Sequence, residues 1–211
     1  AKTMTTLGEG GMFIVKDPEI AAAVPGVRHN GLTAFQGARE RYWVPAMSNV
    51  DEFWPGQWPQ NFCIGEAQCA LGSVQLRSVI PNNEILIEQD RKIRAALADV
   101  PEISFPEILP GHRYVVHQYV VHFDGSAFGK NRNDLLDLVT AKYGVRAIVQ
   151  YHPLYRYPLF QKLGAGEHDT PVLDAWWDNS FSLPWWCGIT DEELGIMTDA
   201  IRDAVAELKS A

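Results

Sequence analysis

The sequence predicts a mixed α/β chain whose second part is a self-contained α+β unit, and three observations predict it. Runs rich in apolar and β-branched residues at 12–15, 112–123 and 145–150 have the character of buried strands. Around them, apolar residues recur every three or four positions, as on one side of a helix. Start and stop residues bound those stripes: Asp before Pro, Thr three before Glu, Gly after a last turn.

The elements follow in order. Met12-Phe13-Ile14-Val15 is read as a buried strand. Asp17 caps a helix whose first turn takes Pro18, and that helix is expected to end near Pro25-Gly26. Residues 28–60 show no sustained period and are rich in Gly, Pro, Asn and Trp; they read as a long loop. Loops of that length in a compact domain are usually functional or disordered, and Tyr42, Trp43, Phe53, Trp54 and Trp58 favour function. A helix is expected at about 65–79, with Ala67, Ala70, Leu71 and Val74 on one face and Gly72 and Ser73 allowing close packing. A second, at about 82–99, carries the stripe Leu86, Ile93, Leu97 and Val100. Residues 112–123 read as a strand, a helix at about 133–143 stops at Gly144, and residues 145–150 form another strand. The last helix starts at Thr190, where Glu193 completes a capping box, and its stripe is Leu194, Met197, Ile201, Val205 and Leu208. The expected division is 1–79, the end of a larger domain, and 80–211, the α+β unit.

Composition narrows the function. The chain has 211 residues, 46% hydrophobic and 21% charged, a globular balance long enough for a real core. A net charge of −8 argues against nucleic acid as partner, because phosphate backbones need clustered Lys and Arg. No apolar run approaches the roughly 20 residues of a membrane span, and no signal peptide is visible. Cys63, Cys69 and Cys187 are odd in number and form no Cys-x-x-Cys, so a cytoplasmic setting is expected.

Lys2 opens the chemistry. A desolvated lysine loses its proton easily enough for the neutral amine to attack a carbonyl, which is how pyridoxal phosphate is held. Thr3, Thr5 and Thr6 add small hydroxyls, and Gly8, Gly10 and Gly11 let backbone pass close to a cofactor. Glu9 is read as shaping the glycine turn, and Glu66 as complementing a helix N-terminus. His112, His117 and His122 fall five apart, which flips faces along a strand, so no shared metal is expected and no metal site is assigned. One ring of each pair Trp176-Trp177 and Trp185-Trp186 is expected in the core.

"KTMTTLGEGGM" (2–12) resembles the Schiff-base segment of the sugar aminotransferases of the DegT/DnrJ/EryC1/StrS family. "VRHNG" (27–31), "QNFCIGEAQCALGSVQL" (60–76), "HPLYRYPLF" (152–160) and "SLPWWCGITDEEL" (182–194) resemble later family segments in the same order. The resemblance implies the C-terminal half of a fold type I, pyridoxal 5'-phosphate-dependent enzyme: the end of its large domain and its small C-terminal domain. Its stacking ring, pyridinium carboxylate and most phosphate donors would lie in a preceding half or on another chain. The resemblance further implies Lys2 as the catalytic and cofactor-binding lysine, and Asn61 as a donor to the cofactor phosphate of a dimer partner. It places His152, Tyr155 and Arg156 beside the substrate. Cys63 and Gly65 stand where the family has Arg and Ser, which weakens any contact from those two positions. The activity implied is transfer of an amino group from glutamate or glutamine to a keto-sugar or keto-cyclitol by a homodimer. A dehydratase or aromatising enzyme of the same fold, or a non-catalytic assembly subunit, remains open at this stage.

Overall fold

The computed structural model describes residues 8, 10–32, 43, 45, 47–53, 55–166 and 168–211. These fall into two units, the described residues of Met4–Arg77 and those of Ser78–Ala211.

In the first unit, Asp17 caps helix α1 (Pro18–Arg28) by accepting from the backbone N–H groups of Glu19 and Ile20 at 2.8 and 3.2 Å. Pro25 lies inside this helix rather than ending it, so α1 runs two residues past the expected stop at Gly26. Gly26 is required there, because a Cβ would sit 2.0 Å from the Phe53 ring. After α1 the described chain forms turns and isolated bridges, His29↔Asn61 and Leu32↔Val50. Gly31 makes that turn at φ +77°, where a side chain would meet the Asp51 carbonyl at 2.7 Å. The expected strand at 12–15 is absent: nothing among the described residues pairs with it, and Met12, Phe13 and Ile14 are 78, 66 and 83% exposed. A strand needs a neighbour for its N–H and C=O groups, and an apolar run alone does not supply one.

Helix α2 (Glu66–Ala96) replaces the two helices expected at 65–79 and 82–99. Pro81 lies inside it. Proline removes one backbone bond to the residue four earlier but leaves the rest of the ladder intact, and here the ladder carries on. Gly72 is buried, whereas Ala67, Ala70 and Val74 of the expected apolar face are exposed.

The second unit holds an antiparallel sheet in the order β1 (Ile103–Ser104), β2 (Tyr119–Phe123), β3 (Ser180–Leu183). Tyr119 pairs with Leu183 and His122 with Ser180. The strand expected over 112–123 is only five residues long. Its next partner after Leu183 would be Pro184, which has no N–H to give the ladder. Residues 145–150 likewise make one bridge, Ile148↔Ser182, with bonds of 3.0 and 2.7 Å, rather than a strand.

Tyr119, Val121 and Phe123 alternate into a core closed by Ile93 and Leu97 of α2, Leu135 and Val139 of α3 (Arg132–Tyr143), and the stripe of α6 (Asp191–Ser210). Two capping boxes start these helices: Asn131 with Asp134, and Thr190 with Glu193. Gly144 ends α3 in the left-handed conformation at φ 70°. A short helix α4 (Pro158–Lys162) and helix α5 (Pro171–Asn179) complete the unit, and Trp176 of α5 stacks on His122 of β2 at 5.2 Å.

Candidate functional site

Lys2, Thr3, Thr5, Thr6, Glu9, Tyr42 and Trp54 lie outside the described residues. The other candidates are placed, each within one unit.

Asn61 sits on the bridge to His29, held by the Phe62 N–H to Arg28 carbonyl bond of 2.8 Å and the Gln60 N–H to Val27 carbonyl bond of 3.1 Å. Its Oδ1 accepts from the Cys63 N–H at 3.0 Å. That bond fixes the amide plane and leaves the Nδ2 hydrogens without an acceptor among the described residues. An exposed amide presenting only donors suits a phosphate oxygen. Cys63 instead turns its thiol to the Arg28 carbonyl at 3.8 Å, a packing contact. Gln68 folds back to accept from the Gly65 N–H at 2.9 Å, and Glu66 stands in the first turn of α2.

His152, Tyr155 and Arg156 come together in the second unit, on the segment before α4. Arg156 donates from Nε to the Tyr155 hydroxyl at 2.9 Å, from Nη1 to Asp178 at 3.2 Å, and from Nη2 to Asp174. Tyr155 donates its own hydroxyl to Asp174, and Thr170 donates to the other Asp174 oxygen at 3.2 Å. The Tyr155 hydroxyl, foremost, holds the Asp174 carboxyl below its ordinary range, so it stays an anion.

Two guanidinium groups, Arg132 and Arg156, each lie 4.9 Å from the ring centre of Trp177 of α5. Arg132 also donates to the Trp177 carbonyl and, at 3.1 Å, to the Ser180 carbonyl, tying the end of α5 to β3. His152 meets Trp177 edge-on at 5.1 Å and Tyr157 at 5.6 Å. Tyr155 and Arg156 are therefore held by a charged lattice on α5, with His152 at its margin.

Sequence reasoning missed Asp174, Trp177 and Arg132 as the supports of this segment. A signal was present: Thr170-Pro171 followed by Asp174 is a helix start, and α5 begins there. Of the paired tryptophans, Trp185 packs on Tyr119 at 4.5 Å and donates to the Val116 carbonyl, while Trp186 is 48% exposed. The three histidines point to different partners. His112 bonds the Pro110 carbonyl, His122 stacks on Trp176, and His117 lines a cleft beside Arg146.

A small antiparallel sheet with α2, α3 and α6 on its core face and α5 against the other defines a mixed α/β protein with a C-terminal α+β unit. The model of the DegT/DnrJ/EryC1/StrS aminotransferase family matches residues 1–202, and the chain belongs to that family. Among curated relatives, the spore coat polysaccharide biosynthesis protein SpsC of Bacillus subtilis is 25% identical over 200 residues, covering 94% of this chain and 50% of the relative. The dTDP-4-dehydro-2,3,6-trideoxy-D-glucose 4-aminotransferase of Saccharopolyspora spinosa is also 25% identical, covering 97% and 50%. The chain thus spans about half the length of the relatives it matches.

Among solved structures, Helicobacter pylori PseC, an aminotransferase of pseudoaminic acid biosynthesis, superposes with a TM-score of 0.68 at 19% identity, covering 90% of this chain and 47% of that one. The aminotransferase TlmJ of Streptoalloteichus hindustanus gives 0.67 at 20%, covering 92% and 47%. These likenesses show the fold, that of the C-terminal part of fold type I transferases, whose members in this family are pyridoxal-phosphate-dependent.

Proposed function

We propose that the protein is a pyridoxal-phosphate-dependent aminotransferase that moves an amino group from glutamate or glutamine to a keto-sugar or keto-cyclitol. The observation that carries this reading is the family match over residues 1–202, which takes in the Lys2–Gly11 segment. Residues 1–79 are read as the end of a large cofactor-binding domain and 80–211 as the small domain.

The bound cofactor would supply an electron sink for the carbon that loses its proton. Lys2 would anchor it and, once released, carry a proton between donor carbon and cofactor, a task suited to a desolvated amine near neutrality. Asn61 would donate from Nδ2 to the phosphate, the group its fixed amide fits. His152, Tyr155 and Arg156 would face a hydroxylated substrate from the segment that Asp174 holds. The enzyme would act as a homodimer in the cytoplasm.

The test uses the full-length protein. With pyridoxal phosphate it should absorb in the visible, and borohydride should fix the cofactor on Lys2. Glutamate plus a keto-sugar should yield 2-oxoglutarate, and Lys2→Arg should cut that turnover at least about a thousandfold. Cofactor fixed on Lys2 without 2-oxoglutarate would favour a dehydratase; no adduct at all would remove the enzymatic reading.

A further inference from the structure

A cleft in Ser78–Ala211, the one beside His117 and Arg146, has no part in the reading above. It lies where the segment after α3 crosses the ends of β2 and β3, and it encloses about 350 Å³, within the ~300–1,000 Å³ range of small-molecule sites. Its polar walls are His117, Gln118, Arg146, Gln150, Tyr151 and Ser182, and Trp185 forms an aromatic wall.

One feature of the lining points to a ligand. Arg146 lines the same cleft, and no carboxylate among the described residues pairs with it. An unpaired guanidinium in a concave wall is a receptor for carboxylate or phosphate.

The remaining groups say what else the ligand carries. Gln118 donates to the Tyr151 hydroxyl at 3.0 Å, and Gln150 approaches the same oxygen at 3.4 Å. With two donors aimed at its oxygen, the phenol turns its hydrogen outward, while the two amide oxygens remain acceptors. Such a mixture of donors and acceptors matches hydroxyl groups, which do both. Trp185 is immobilised by its bond to the Val116 carbonyl at 3.2 Å and by Tyr119, so its ring is a rigid flat wall for the C–H face of a sugar.

We propose that this cleft binds a single sugar ring bearing an anionic group, either a carboxylate or a phosphate monoester. Arg146 holds the charge; Gln118, Gln150 and Tyr151 hold the hydroxyls. As the class of acceptor, the inference rests on the aminotransferase reading; as a binding site, it does not.

Calorimetric titration of the full-length protein, without cofactor or amino donor, tests it with glucuronate, glucose 6-phosphate, glucose and inorganic phosphate. Both charged sugars should bind about tenfold or more tighter than glucose, and glucose 6-phosphate tighter than inorganic phosphate. A preference between the two charged sugars would identify the anion. Arg146→Gln should bring the charged sugars down to the level of glucose, and Tyr151→Phe should weaken charged and neutral sugars alike while keeping the preference. The proposal is overturned if charged sugars bind no tighter than glucose, if Arg146→Gln keeps the preference, or if inorganic phosphate binds as well as glucose 6-phosphate. Because no turnover is measured, failure here is distinct from failure of amino transfer.

Discussion

In Ser78–Ala211, Ile93, Val121, Phe123, Leu135 and Ile201 are wholly withdrawn from solvent. In the described part of Met4–Arg77, the buried residues are the glycines Gly26, Gly31 and Gly72, while Trp58, Ile14 and Met12 are 90, 83 and 78% exposed. The second unit supplies its own partners for the stripes of α3 and α6 and the end of α2, although Val172 of α5 stays 83% exposed. The first has strongly exposed apolar residues, and besides its helices its order comes from backbone bridges and one ring on one glycine. An apolar pattern says which side of an element seeks cover. Only the rest of the chain decides whether cover is there.

The largest effect that tests this contrast should come from Leu135→Ala. It opens a cavity in the closed core and should cost about 2–5 kcal/mol in denaturant unfolding; a loss under ~1 kcal/mol would mean the core is looser than its burial implies. Gly26→Ala should follow, costing about 1–3 kcal/mol because its methyl group meets the Phe53 ring. The double variant with Phe53→Ala should lose less than the two changes summed, and simple additivity would break the claim that this ring and glycine order the first unit.

Thr190→Ala should cost about 1 kcal/mol by removing the hydroxyl that caps the Glu193 N–H. The same box predicts a pH dependence. The Thr190 backbone N–H, foremost, lowers the Glu193 carboxyl below the ordinary 4.5. Its contribution is therefore complete above that value and is lost as the pH falls through the lowered one. Circular dichroism of α6 between pH 6 and 2 checks this, and helix loss setting in above pH 5 would contradict it. The smallest effect should come from Phe13→Ser, within about 0.5 kcal/mol, as for any exposed site. A markedly larger loss in the full-length protein would show that Phe13 is covered there, and would sharpen the contrast into one of missing partners.

Legibility from sequence followed the same divide. Caps and stops were readable at Asp17, Thr190 with Glu193, and Gly144, because each acts within one turn of the chain. The stripes Leu86–Val100 and Leu194–Leu208 were readable because their cover lies in the same unit. Residues 12–15 were misjudged because strand formation depends on a neighbour the run cannot specify. The helix expected to end near Pro25-Gly26 and the two expected at 65–79 and 82–99 instead run on through Pro25 and Pro81. The extent of β2 was set by Pro184, sixty residues further on. In the candidate site, Asn61, His152, Tyr155 and Arg156 were named through a family resemblance, and the lattice that holds the last two was not. Asp174 and Arg132 are ordinary charged residues in sequence, and only the fold brings them to Trp177.

The indole of Trp177, with two cations close to its ring, also amounts to a built-in optical probe. Excited indole responds strongly to nearby charge, so any ligand that pulls Arg156 away should change its emission. The difference between the spectra of the parent protein and Trp177→Phe would then report motion of the 152–157 segment in real time, with no dye attached.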